Sequence, residues 1–123
     1  MTASRKLLVL LAFVMSMACA RNPVAPNSAQ SVPVWLTALT HQLEAQPVAN
    51  PPTVIARYEY KGQSVYFLPQ QCCDVMGALY REDGSVLCRP DGGFSGTGDG
   101  QCPDFFAERR NEQVIWRDAR APH

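Results

Sequence analysis

Thiols offer the most chemistry in this 123-residue chain. Cys72, Cys73, Cys88 and Cys102 fall within one stretch, and Cys19 stands apart near the N-terminus. Four clustered thiols could pair as disulfides, hold a soft metal or cycle between redox states. A zinc knuckle wants Cys-x-x-Cys, which is missing, and adjacent cysteines chelate poorly. A redox motif wants the same spacing or one exposed thiol of low pKa. Two structural disulfides are therefore the expectation. Bonding Cys72 to Cys73 would distort the peptide between them. The reading is thus one bond from the pair to Cys88 and one to Cys102, with the order open. Each bond would close a loop of roughly 15 to 30 residues and contribute a few kcal/mol.

The same stretch carries Asp91-Gly92-Gly93-Phe94-Ser95-Gly96-Thr97-Gly98-Asp99-Gly100. Glycine allows positive φ and close backbone approach to a partner. Asp91, Asp99 and Asp104 add carboxylates, and calcium is the chemistry that these would suit. No Glu closes a twelve-residue calcium loop, and no Gly-Lys-Ser/Thr makes a phosphate loop. The reading is a tight loop whose Asp side chains bond the backbone, with calcium as the lesser alternative. Cross-linking its ends would offset its ordering entropy. The chain has only two histidines, His41 and His123, so no Ser-His-Asp or Cys-His set can be assembled. No cofactor and no catalytic residue is expected.

These residues sit behind an export segment. Arg5-Lys6 precedes an apolar run from Leu7 to Val14, too short for the roughly 20 residues of a membrane span. Ser16-Met17-Ala18-Cys19 resembles a bacterial lipobox with Cys19 as the lipidated residue, although Ser16 stands where an aliphatic side chain is usual. The alternative is cleavage after Ala18-Cys19-Ala20, releasing a soluble periplasmic or secreted chain that starts at Arg21. Residues 1–20 are read as the signal, 21–32 as a flexible linker, 33–118 as one domain and 119–123 as a polar tail. Arg5 and Lys6 leave with the signal, so the mature chain carries nine basic and eleven acidic residues. Such a balance excludes the clustered basic face of a nucleic-acid binder.

Within the domain, Ser31 and Pro33 mark a helix start, and Leu36, Leu39 and Leu43 with Trp35 form an apolar stripe over residues 33–45. Residues 54–60 and 64–68 read as strands joined at Lys61-Gly62. That turn pairs Tyr60 with Gln63, Tyr58 with Val65 and Ala56 with Phe67, and this face is assigned to the helix. Arg57, Glu59, Ser64 and Tyr66 take the other face. Asp83-Gly84 predicts a second hairpin, residues 79–81 against 85–88. Asp104 caps a short turn or helix, and residues 113–116 form a last strand. The predicted fold is α+β: one N-terminal helix on a small, mostly antiparallel sheet of three to five strands, stapled by disulfides, with a long glycine-rich loop.

Several strings in combination identify a family: Tyr58-Glu59-Tyr60-x-Gly62-x-x-Val65-Tyr66, then Cys72-Cys73-Asp74, Leu79-Tyr80-x-x-x-Gly84 and Cys88-x-Pro90-x-Gly92-Gly93. These continue through Gly96-x-Gly98-Asp99-Gly100-x-Cys102-Pro103-Asp104-Phe105 to Ile115-Trp116. The chain resembles a family of small exported bacterial proteins, many of them lipoproteins, known as domain of unknown function 6970. The likeness runs from the Trp35 helix to Trp116. It implies one domain in the cell envelope and brings no catalytic residue. The expected function is a non-enzymatic module that binds an envelope or extracellular macromolecule. Its membrane contact would come through a lipid on Cys19 alone. Its candidate face is the loop from Asp91 to Gly100 with Phe94, together with Tyr66 and Phe105-Phe106. An inhibitor of an extracellular hydrolase and a calcium-dependent module are the alternatives.

Overall fold

The computed structural model describes residues 31–121. The signal segment, Cys19, His123 and all of the linker before Ser31 lie outside the described residues. The elements run α1 (Val34–Glu44), β1 (Val54–Tyr60), β2 (Gln63–Leu68), β3 (Ala78–Arg81), β4 (Val86–Cys88), α2 (Phe105–Glu108) and β5 (Arg110–Arg117). The strands form one five-stranded sheet in the order β4-β3-β2-β1-β5, antiparallel at every pairing. This is the α+β fold expected from the sequence.

Local chemistry sets the register. Lys61 and Gly62 take φ of 48° and 76°, the two left-handed residues that a tight hairpin needs. Tyr60 consequently pairs with Gln63, Tyr58 with Val65 and Ala56 with Phe67, as the turn predicts. At the β3–β4 turn the Asp83 carboxylate accepts from the Ser85 N–H at 2.8 Å and from its hydroxyl at 2.6 Å. Gly84 there has φ of 88°, and a Cβ on it would stand 2.6 Å from the Trp35 ring.

The layers differ from the expectation. The face of Ala56, Tyr58, Tyr60, Val65 and Phe67 does not meet α1. It packs with Leu79, Cys88, Cys102 and Phe105, so α2 and the bonded cysteine pair cover it. Helix α1 lies on the opposite face, where Leu36 joins Ile55, Tyr66 and Leu68, flanked by Trp35, Leu39, Leu43, Tyr80 and Trp116. Both faces of the strands are apolar toward the Leu68 end of β2, so period-two alternation alone cannot say which layer covers which face. Tyr66, expected at the surface, is buried under α1.

Helix α1 is pinned at both ends. Trp35 donates from Nε1 to the Glu82 carbonyl at 2.8 Å and packs edge-on against Tyr66 at 5.4 Å between centroids. Its cap residue is Pro33, not Ser31, and no side chain caps it. Pro33 stands just outside the helix, with ψ of 142°, and its carbonyl accepts from Leu36 and Thr37. At the other end the Arg120 guanidinium donates to the carbonyls of Leu43, Glu44 and Gln46. It is held by two bonds to Asp118, at 2.9 and 2.7 Å. Arg120, in the segment read as a polar tail, thus satisfies the carbonyls at the C-terminal end of α1.

Strand β5 is one open edge of the sheet. Its pairing with β1 shifts register twice, between Ile55 and Ala56 and between Arg57 and Glu59. The other edge is β4, only three residues long.

Candidate functional site

The glycine-rich segment leaves β4 at Cys88 and returns to the sheet face at Cys102, where the two cysteines are bonded. Inside that closure sits a second tie. Asp99 Oδ2 accepts from the Arg89 N–H at 2.9 Å, and the Asp99 N–H donates to the Arg89 carbonyl at 2.8 Å. Asp99 Oδ1 accepts from the Gln101 N–H at 2.9 Å. A third tie joins the Gly98 N–H to the Gly92 carbonyl at 3.0 Å, beside a short bridge from Gly92 to Thr97. Gly98 must be glycine: its φ is +69°, and a Cβ would overlap the Arg89 carbonyl oxygen. A Cβ on Gly92 would stand 2.6 Å from the Val75 carbonyl oxygen, so the loop also rests on the segment before β3. Three successive ties make a rigid loop with a narrow tip. At that tip Phe94 is 100% exposed.

Below the loop, Phe105 is the hub of the face. It is fully buried and meets Tyr58 at 5.7 Å, Tyr60 at 5.4 Å and Phe67 at 5.3 Å between ring centroids. The expectation that Phe105 stands at the surface is therefore corrected, while Phe106 remains half-exposed. Arg109 lies over the Tyr58 and Phe106 rings, at 4.7 and 4.9 Å. Tyr58 donates to Glu112 at 2.6 Å, and its phenol is pushed up to about 12 by burial first and by that bond second. Asp104 does not cap α2 with its side chain. It accepts from the Tyr60 hydroxyl at 2.5 Å and pairs with Lys61 at 2.7 Å. The hydrogen bond from Lys61 leads in holding its carboxyl below the usual range.

These commitments bear on calcium. Asp99 is spent on loop amides and Asp104 on Tyr60 and Lys61, and Asp91 keeps one buried oxygen without a partner. Among the described residues no three acidic, His or Cys side chains gather to hold a metal ion. The loop glycines and Asp99 work as the sequence suggested, building the loop's own backbone.

The thiols depart from expectation. Cys88 bonds Cys102, with Cα atoms 6.1 Å apart, and not either member of the adjacent pair. Cys72 and Cys73 are unbonded and exposed. The reason is placement. Cys88 ends β4 on the Phe105 face and is buried there with Cys102, whereas Cys72 and Cys73 lie on an exposed turn after β2.

Sequence reading missed one recess. Beyond α1, between β1, β2 and β5, an open groove of about 510 Å³ is lined by Arg57, Glu59, Ser64, Asn111 and Gln113 among others. Arg57 donates to Ser64 at 2.7 Å and to Gln113 at 3.2 Å, and Asn111 donates to Glu59. Its lining contains neither His nor Cys, and its polar groups bond one another. The alternation of Arg57 and Glu59 with apolar neighbours was the available signal, once the covering layer was known.

Fold and surface together define a small α+β protein whose distinctive feature is a disulfide-closed glycine loop with an aromatic tip. The chain belongs to the family described as domain of unknown function 6970, whose family model matches residues 41–118. The match begins inside α1, so Trp35, Leu36 and also Arg120 lie outside it. No curated protein and no solved structure matches the chain significantly.

Proposed function

We propose that the protein is a non-catalytic module of the bacterial envelope, exported and tethered through a lipid on Cys19, that binds an envelope or extracellular macromolecule with its glycine-rich loop. The observation that carries this reading is Phe94, fully exposed at the tip of a loop tied three times below it. An aromatic ring in water gains most when it enters a partner's pocket. A loop already ordered loses little conformational entropy on doing so. A hydrolase inhibitor would use the same rigid tip, and only the identity of the partner separates the two readings.

A photoreactive phenylalanine analogue at position 94, in cells that make the full chain, tests the binding face. The expected result is a discrete adduct from position 94, competed by added wild-type domain but not by Phe94→Ala. Position 37, exposed on α1, serves as the control. No adduct from position 94, or the same adducts from position 37, would overturn the reading. The tether is tested separately by intact mass of the envelope form. Acyl chains on Cys19 support it, and a chain beginning at Arg21 removes it.

A further inference from the structure

Neighbouring side chains in regular backbone point apart, so two consecutive cysteines do not ordinarily bring their sulfurs together. Here they do: Cys72 Sγ and Cys73 Sγ stand 2.6 Å apart on the exposed turn after β2. The backbone explains it. Cys73 has φ of +56°, a left-handed conformation that few non-glycine residues adopt. That twist swings the second side chain round to the first. Two hydrogen bonds hold the turn: Val75 N–H to the Cys72 carbonyl at 3.1 Å, and the Gln70 side-chain amide to the Cys73 carbonyl. An unfavourable backbone state maintained by its surroundings points to a use. Elsewhere in the described residues, the buried Cys88–Cys102 bond shows that sulfur chemistry already holds one part of this fold together.

We propose that Cys72 and Cys73 are a reversible dithiol–disulfide site, closing on oxidation into the eight-membered ring of a bond between adjacent residues. The co-reactant is a disulfide oxidant. One protein thiolate attacks a sulfur of that disulfide, forming a mixed disulfide and expelling the first partner thiolate. The neighbouring thiolate then attacks the protein sulfur of the mixed bond, forming Cys72–Cys73 and expelling the second partner thiolate. Two protein thiols are oxidised, one partner disulfide is reduced, and the two protein protons end on the two partner thiols.

The bond would be easily reduced. Across a trans peptide the Cα atoms are about 3.8 Å apart, closer than the roughly 4.4–6.8 Å usual for disulfides. Strained, exposed disulfides are the labile ones, whereas the Cys88–Cys102 pair is buried. In the reduced state the two thiols are within hydrogen-bonding reach of each other. The hydrogen bond to Cys73, then charge repulsion from it, raises the Cys72 thiol above its ordinary value. The turn also touches the loop, because Val75 and Met76 lie against Gly92 and Gly93. Ring closure would thus be felt at the base of the segment that presents Phe94.

Trypsin reads the pairing directly. Cleavage after Lys61 and Arg81 places Cys72 and Cys73 in peptide 62–81. The Arg89-Pro90 bond resists trypsin, so Cys88 and Cys102 share peptide 82–109. The folded protein is equilibrated with oxidised and reduced glutathione, blocked with an alkylating agent, denatured and digested. In the oxidised buffer, peptide 62–81 is expected alone, two hydrogens light and without label. As the buffer turns reducing it should take two labels while peptide 82–109 keeps its internal bond. The reduced protein should bind one trivalent arsenical per chain, and Cys72→Ser should abolish that and leave Cys73 as a glutathione adduct in oxidised buffer. Peptides 62–81 and 82–109 joined covalently would overturn the proposal. So would wild-type peptide 62–81 that keeps two labels, or ends as a glutathione adduct, in oxidised buffer.

Discussion

Replacing Phe105 should unseat the whole face of the sheet that carries the loop. The ring is fully buried and sits edge-on to Tyr58 and Tyr60, with interplanar angles of 89° and 82°. Truncating a buried Phe to Ala costs about 3–5 kcal/mol. Each well-oriented aromatic pair adds about 0.5–1.5 kcal/mol beyond burial, so Phe105→Ala belongs near the top of that range, about 4 kcal/mol or more. A domain of this size is stable by about 5–14 kcal/mol in all, so the loss is between about a third and most of it. At about 4–8 °C per kcal/mol, Tm should fall by about 16–32 °C. Phe105→Leu keeps most of the apolar volume and loses the ring edges, and should cost about 1–3 kcal/mol. Thermal and urea unfolding followed by circular dichroism measure both. Phe106→Ala is the control, because that ring is 45% exposed, and should cost about 1 kcal/mol. The reasoning fails if Phe105→Ala costs no more than Phe106→Ala, or if Phe105→Leu is as damaging as Phe105→Ala.

Gly98→Ala should break the tie between Arg89 and Asp99 and cost about 2–3 kcal/mol. Gly96→Ala, also at positive φ but facing open space, should cost about 1 kcal/mol. Equal effects on stability and on the amide chemical shifts of residues 89–101 would refute the close approach at Gly98. Asp118 carries an acid-stability prediction. The bond from Arg120 leads in depressing its carboxyl pKa, so below neutrality the folded chain binds fewer protons there than the unfolded chain. Its contribution is complete above the ordinary carboxylate value near pH 4 and is lost as pH falls through the lower folded value. Asp118→Asn should therefore narrow the gap between Tm at pH 7 and at pH 3, and parallel curves would sink the idea.

Much of the fold was legible because its signals are local. Lys61-Gly62 and Asp83-Gly84 set two hairpins, and with them the pairing of Tyr60 to Gln63 and of β3 to β4, though a register shift between Leu79 and Tyr80 then sets Leu79 opposite Cys88. Which layer covers which face was not legible. Tyr66 and Leu68 present large, mostly apolar surface opposite Val65 and Phe67, so the strand pattern suits a helix on either side. The role of Arg120 was hidden by distance in sequence, since its carbonyl partners lie at residues 43–46. The tightness of the loop and the exposure of Phe94 could be read from Asp and Gly spacing, but not the burial of Tyr66 and Phe105, which depends on the layers that cover the sheet. The cysteine pairing misled for a physical reason. Cys88 and Cys102 are buried together on the Phe105 face and bond each other, while Cys72 and Cys73 lie unbonded on an exposed turn, a placement that depends on tertiary packing.

A five-stranded sheet has two rows of unpaired backbone groups, and proteins crowded on a surface tend to zip together along such rows. Neither row here is an inviting template. Strand β4 offers only three residues before the chain turns into the cross-linked loop. Strand β5 is long, but two bulges twist it, Asn111 breaks its extension at φ of 54°, and Arg110, Glu112 and Arg117 line it with exposed charge. A strand approaching β4 would find only three residues to pair with, and one approaching β5 would meet a twisted, bulged edge. Each edge of the sheet is thus a poor template for strand addition by another chain.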